Sequence, residues 1–261
     1  MVMARRIFVN GVHLNVLEQG TGPLTLVFLH YFGGSALEWQ SVMDLLANNH
    51  RCIAVDLRGF GDSDAPSTGY SVDDTADDVA ALLKALHIDK VVLIGHSMSG
   101  KAALALAARQ PEQLQALILV SPSPPVPEPI PDQERHTLLQ GHGQRSTAAQ
   151  TLKNITALPV SISVKEQIIA DDLRSSKVAW DAWLLAGSKE NIANRMGSIN
   201  IPISIIVGSE DRALLPEVQT QLVLPYVKTA TLDTIENAGH LLPWEVPDQL
   251  AKFIQKKILV G

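Results

Sequence analysis

Val91-Val92-Leu93-Ile94-Gly95-His96-Ser97-Met98-Ser99-Gly100 runs from four consecutive aliphatic residues, through a cluster of small ones, into an alanine-rich segment. Four apolar residues without alternation suit a strand covered on both faces, as in a parallel sheet between helices. A serine where such a strand turns sharply into a helix sits in a strained backbone with its hydroxyl exposed. Its neighbours must be small, so that helix and strand can approach each other. Gly95, Ser99 and Gly100 meet that steric demand around Ser97.

The same apolar signature recurs at residues 24–29, 52–55, 116–120 and 203–207. Helical patterns lie between the runs, at 71–86 and at 98–109, the second stopping ahead of Pro111. Strand alternating with helix predicts an α/β fold with a doubly wound, mostly parallel sheet. Residues 5–17 alternate apolar and polar around Asn10-Gly11, a dipeptide that accepts the positive φ angles of a tight turn, and predict an N-terminal antiparallel hairpin.

The rhythm breaks after residue 121. Pro122, Pro124, Pro125, Pro127, Pro129 and Pro131 exclude regular helix or central strand over that stretch. Beyond it, Ser163 and Glu166 have capping-box spacing, and Trp180, Trp183 and Leu184 share one face of a following helix. Because strand character resumes at Ile203, residues 122–200 read as a helical cap inserted into a core made of residues 1–121 and 201–261.

Composition narrows the class. With 46% hydrophobic and 18% charged residues among 261, the chain has ordinary globular usage and no mark of disorder. A net charge of -6 with scattered Lys and Arg leaves no basic stripe for nucleic acid. Cys52 is the single cysteine, so an intramolecular disulfide is impossible and thiolate metal centres lack their usual ligands, which fits a reducing cytoplasm. The start meets charge at Arg5 and Arg6, without the apolar core of a signal peptide, and no apolar run reaches membrane-spanning length.

With its elbow at Ser97, the chain resembles the α/β-hydrolase superfamily over essentially its whole length. It is similar to the serine-nucleophile branch of carboxylesterases and cofactor-free haloperoxidases or perhydrolases. The usual elbow reads Gly-x-Ser-x-Gly; here Ser99 takes the last position and the glycine is displaced to Gly100. The resemblance implies a chain order of nucleophile, acid and histidine, the last two in loops after late strands. Residues 203–207 lead into Gly208-Ser209-Glu210-Asp211, and 231–235 lead into Asn237-Ala238-Gly239-His240.

A serine hydroxyl is a poor nucleophile at neutral pH and needs an imidazole to take its proton, the role assigned to His240. A carboxylate then fixes the imidazole tautomer. Asp211 is the choice and Glu210 its nearest competitor, while the earlier loop Ser121-Pro122-Ser123 offers no carboxylate. His30-Tyr31-Phe32-Gly33-Gly34 looks like the family's His-Gly-x oxyanion loop, which implies that the N–H groups of Phe32 and Met98 form the oxyanion hole. Tyr31 departs from the family's glycine, so its side chain either changes the backbone angle or points toward the pocket.

His30 and His96 read as supports, and His13, His50, His87, His136 and His142 as surface or packing residues. Asp56-Leu57-Arg58-Gly59-Phe60-Gly61-Asp62-Ser63 resembles a recurrent family turn with a scaffold role.

The expected activity is that of a serine hydrolase, first a carboxylesterase, that cleaves a small, largely apolar ester through an acyl-enzyme on Ser97. It needs neither cofactor nor metal. Tyr31, Trp180, Trp183 and Leu184 are the expected substrate contacts. Lactonase, perhydrolase and carbon–carbon bond hydrolase use the same three side chains and stay open. So does a signalling receptor on this scaffold, which would show slow or single turnover. The sequence leaves the oligomeric state unspecified.

Overall fold

A computed structural model describes residues 2–258. Among the described residues eight strands make one sheet: β1 (Met3–Val9), β2 (Val12–Gln19), β3 (Thr25–Leu29), β4 (Arg51–Val55), β5 (Val91–His96), β6 (Leu114–Val120), β7 (Ile203–Gly208) and β8 (Ala230–Ile235). Their spatial order is β1-β2-β4-β3-β5-β6-β7-β8. β1 and β2 pair antiparallel about the expected turn, with Val9 opposite Val12, and β2 is also antiparallel to β4. The remaining pairs are parallel.

Unbroken apolar runs are what a sheet covered on both sides requires, and the two faces separate cleanly. Val27, Leu29, Ile53, Val55 and Leu93 join one core with α2 (Val72–Ala85) and α3 (Met98–Ala107). Leu26, Phe28, Cys52, Ala54 and Ile94 join the other with α1 (Gln40–Leu46) and the C-terminal helix Pro247–Ile258. Each large apolar side chain shut away like this contributes roughly 1.5–3 kcal/mol. A capping box sets the start of α2, where Ser71 Oγ accepts from Asp74 N at 3.0 Å and Asp74 Oδ2 accepts from Ser71 N at 2.9 Å.

Between β6 and β7 the proline-rich run has neither helix nor strand, and four helices follow: α4 (Asp132–Gly141), α5 (Arg145–Ile155), α6 (Ile162–Arg174) and α7 (Lys177–Leu185). The expected capping box at Ser163 and Glu166 is corrected here. Ser161 holds the extended backbone of the cap and accepts from Val164 N at 3.2 Å, so Ser163 already lies inside the first turn. Glu166 pairs with Arg145 instead. Trp180, Trp183 and Leu184 do share the buried face of α7. Among the described residues no helix is long and apolar enough to cross a membrane.

Candidate active site

β5 ends at His96, and Ser97 turns the chain into α3 with φ 52 and ψ -117, a left-handed backbone that non-glycine residues adopt only under constraint. Three contacts impose it. Ser97 N donates to Val120 O at 2.9 Å, and Ser97 O accepts from Gly100 N at 2.9 Å and from Ser123 N at 3.0 Å. A Cβ at Gly100 would stand 2.6 Å from Pro122 Cβ, and one at Gly95 would stand 3.0 Å from Gly100 Cα, so neither site has room for a side chain.

The serine that replaces the usual glycine is accounted for by its bonds. Ser99 Oγ accepts from His96 N at 3.0 Å and lies 2.9 Å from Leu29 O, to which it donates, tying the elbow to β3.

Asp211 follows β7 and His240 follows β8. Asp211 Oδ2 lies 2.8 Å from His240 Nδ1, and both side chains are buried. Asp211 Oδ1 accepts from Ala213 N and Leu214 N, each at 2.9 Å. Glu210, the competing acid, points outward and is exposed. Burial alone pushes the His240 imidazole down, but the Asp211 carboxylate, with Glu128 and Glu245 adding, outweighs it and holds the group above its ordinary value. Ser97 and His240 face one cavity of about 700 Å³, with no hydrogen bond between their side chains among the described residues.

Three acids around His240 carry no local pattern in the sequence. Glu245 Oε2 accepts from Ala157 N (2.9 Å), Leu158 N (2.8 Å) and Gly239 N (3.0 Å), while Oε1 accepts from Leu241 N at 3.0 Å. One carboxylate therefore brackets His240 on both sides and ties its loop to the end of α5.

Glu38 faces His96 Nδ1 at 3.3 Å, and His96 Nε2 lies 3.0 Å from His240 O. A carbonyl only accepts, so the His96 proton sits on Nε2 and Nδ1 presents a lone pair to Glu38. Burial pushes the Glu38 carboxyl well up, with Asp171 adding, and burial together with His240 pushes His96 well down. Both shifts favour the uncharged forms of the pair behind His240. The third acid is Glu128, which lines the cavity.

The loop after β3 places Tyr31 and Phe32 in the cavity wall. Tyr31 adopts no left-handed backbone; that turn falls on Gly33, at φ 81. The tyrosine ring packs 5.4 Å from the His96 ring, and its carbonyl accepts from Gly34 N at 3.1 Å. His30 Nε2 accepts from Leu57 N at 3.1 Å, so Nδ1 carries the proton and donates to Tyr31 O at 2.7 Å. The backbone N–H groups of Phe32 and Met98 have no acceptor among the described residues.

Trp180, Trp183 and Leu184 complete the wall while belonging to the core, and the Phe32 ring lies 4.2 Å from that of Trp180. The Asp56–Ser63 turn is structural: Asp56 Oδ1 accepts from Ala36 N at 2.6 Å, and Oδ2 from Asp62 N at 2.8 Å.

A sequence model described as "alpha/beta hydrolase fold" matches residues 25–163, more than half of the chain. The chain is 35% identical to 2-(acetamidomethylene)succinate hydrolase of Mesorhizobium japonicum over 122 residues, which are 47% of this chain and 44% of that one. It is 28% identical to a soluble epoxide hydrolase of a Corynebacterium species, over 92% of this chain and 91% of the relative. Among solved structures, an esterase from Exiguobacterium antarcticum superposes with a TM-score of 0.90 at 23% identity, covering 98% of this chain and 99% of the other, a likeness of fold.

Proposed function

Because the chain belongs to the α/β-hydrolase fold family, we propose that its cavity is the active site of a serine carboxylesterase acting on small, largely apolar esters. The observation that carries this reading is the 2.8 Å contact of Asp211 with His240 Nδ1, on the same cavity as a serine in a strained elbow. A serine offers no carboxylate for direct attack on an epoxide, which separates this site from hydrolases that form an alkyl-enzyme ester.

In the proposed cycle Ser97 Oγ attacks the acyl carbon as its proton passes to His240 Nε2, and Asp211 stabilises the imidazolium through Nδ1–H. The oxyanion falls between the unspent N–H groups of Phe32 and Met98, the second at the positive end of α3. Loss of one such donor costs an acyl-transfer enzyme about 3 kcal/mol of barrier. The tetrahedral species collapses by expelling the alcohol, which takes the proton from His240. Water then repeats the sequence on the acyl-enzyme and releases the acid and free Ser97. The Ser97–His240 hydrogen bond forms when substrate closes the site, since catalytic hydrogen bonds are often long in free enzymes.

Steady-state hydrolysis of 4-nitrophenyl esters from acetate to decanoate tests the reading on wild type and Ser97→Ala. Multiple turnovers that vanish in the variant support it, and the best chain length sizes the cavity. Equal rates for the two proteins refute it.

A further inference from the structure

Glu128 sits in the proline-rich run, between Pro127 and Pro129, where its backbone N–H donates to Ser188 O at 2.8 Å. Its carboxyl lines the cavity that Ser97 and His240 share, close enough to His240 for the two charges to interact. Oε2 is buried and has no hydrogen-bond partner, and Ser123 Oγ nearby on the same run is buried and unpartnered as well. The carboxyl enters no ion pair among the described residues, and Ser123 is the side chain placed to offer it a hydrogen bond, which leaves its other lone pairs free for a ligand.

The two neighbouring cations make their hydrogen bonds with other groups, and Arg135 Nε, which is buried, makes none. Lys101 Nζ donates to Ser188 O at 3.2 Å and to Glu190 O at 2.8 Å, while Arg135 Nη1 is held by Leu184 O and by Ser188 Oγ at 2.8 Å. A buried acceptor without a donor is costly to keep.

We infer that Glu128 is a specificity-determining residue, and that the substrate carries a neutral hydrogen-bond donor, a hydroxyl or an amide N–H, which Glu128 accepts beside the scissile acyl group. The donor is neutral because Lys101 and Arg135 both bond to Ser188, whose carbonyl accepts from Glu128 N, and so already place two positive side chains at this end of the cavity. An apolar ester leaves the carboxyl unpaired, and polar sites discriminate most strongly against ligands that leave their own groups unpaired. The inference rests on the reading of Ser97 as nucleophile only for its kinetic test, because binding reports Glu128 directly.

The experiment compares methyl butanoate with methyl 3-hydroxybutanoate, and propyl butanoate with 2-hydroxyethyl butanoate, so that the hydroxyl is offered once on the acyl and once on the alcohol side. Wild type is expected to prefer one hydroxyl ester by about tenfold in kcat/KM, the scale of one hydrogen bond to a charged group. Glu128→Met should erase that preference, read as the ratio within each pair so that any change common to both esters through His240 cancels, and Glu128→Gln, which retains one acceptor, should lower it without abolishing it. If Glu128→Met does not fold, the Gln variant alone decides.

The same pairs titrated into Ser97→Ala, followed by the fluorescence of Trp180 and Trp183 in the cavity wall, give the binding ratio without turnover. A preference in binding without turnover in wild type would keep the subsite and sink the esterase reading. Equal treatment of both pairs by wild type, or a preference unaltered in the Glu128 variants, overturns the inference.

Discussion

Replacing Asp211 by asparagine tests the proposed machinery without disturbing its shape. In the native protein Oδ1 accepts from Ala213 N and Leu214 N, and Oδ2 faces His240 Nδ1. The asparagine oxygen is therefore drawn to the two N–H groups, which leaves the amide NH2 against His240. An NH2 there forces Nδ1 to accept, so the imidazole proton moves to Nε2 and blocks the atom that must receive the Ser97 proton.

Recovering the working tautomer means turning the amide, which strands the N–H donors of Leu214, buried, and Ala213, partly buried, at roughly 1–3 kcal/mol each. Taking about 4 kcal/mol for the pair, kcat/KM falls by about 10³-fold. The assay is ester hydrolysis against pH, with a thermal melt to verify folding and nitrogen-15 NMR of His240 to read the tautomer. In wild type the base works only when unprotonated and Asp211 raises its pKa, so activity falls on the acid side with a midpoint above the ordinary histidine value of about 6.5. In Asp211→Asn that midpoint moves down. A folded variant within tenfold of wild type, or an unmoved acid limb, would refute the assignment of Asp211.

Two further outcomes are expected. Glu245→Ala removes the acceptor of four backbone N–H groups around His240 and should lower the free energy of unfolding in urea by roughly 2–4 kcal/mol, with a fall in kcat; Glu245→Gln should lose less on both counts. Asp172, in the cavity wall, is pushed up to about 6 by burial, so the fold binds its proton more tightly than the unfolded chain does, and ionisation costs stability as pH rises from about 4 to 6. Asp172→Asn should raise Tm at pH 8 and leave it unchanged at pH 4, and a Tm difference independent of pH would count against this.

How far the chain could be read without coordinates follows from the range of each interaction. Strands β3 to β7 were legible because a sheet covered on both faces demands apolar runs, and the hairpin because Asn10-Gly11 tolerates positive φ. The loops that carry Ser97 and Asp211 were legible because each follows such a run; residues 231–235 are not one, and the loop of His240 came from the chain order that the family resemblance implies. Tyr31 was ambiguous in sequence, since nothing local told that Gly33 would take the left-handed turn and free the tyrosine to pack on His96.

Ser161 was passed over for Ser163 because spacing to a glutamate says less than which serine has the extended backbone. Glu38 and Glu245 were invisible for a plainer reason: their partners lie far away in the chain, Glu245 binding the backbone of Ala157 and Glu38 meeting His96. Only folding brings such groups together.

The backbone of His240 is strung between two parts of the molecule. Its N–H donates to Ile155 O at the end of α5, 2.8 Å away, and its carbonyl is held by His96 in the elbow. Ile155 also lines the cavity. A ligand bulky enough to push α5 outward pulls on His240 through that hydrogen bond and through the Glu245 carboxylate that joins the two segments. Misfit is thereby transmitted to the reacting atoms as misalignment, where a shift of about 1 Å can cost a hundredfold in rate. If His240 is the base of the proposed cycle, selectivity against oversized substrates is expressed in turnover as well as in affinity, because the group that would move the proton also senses the fit.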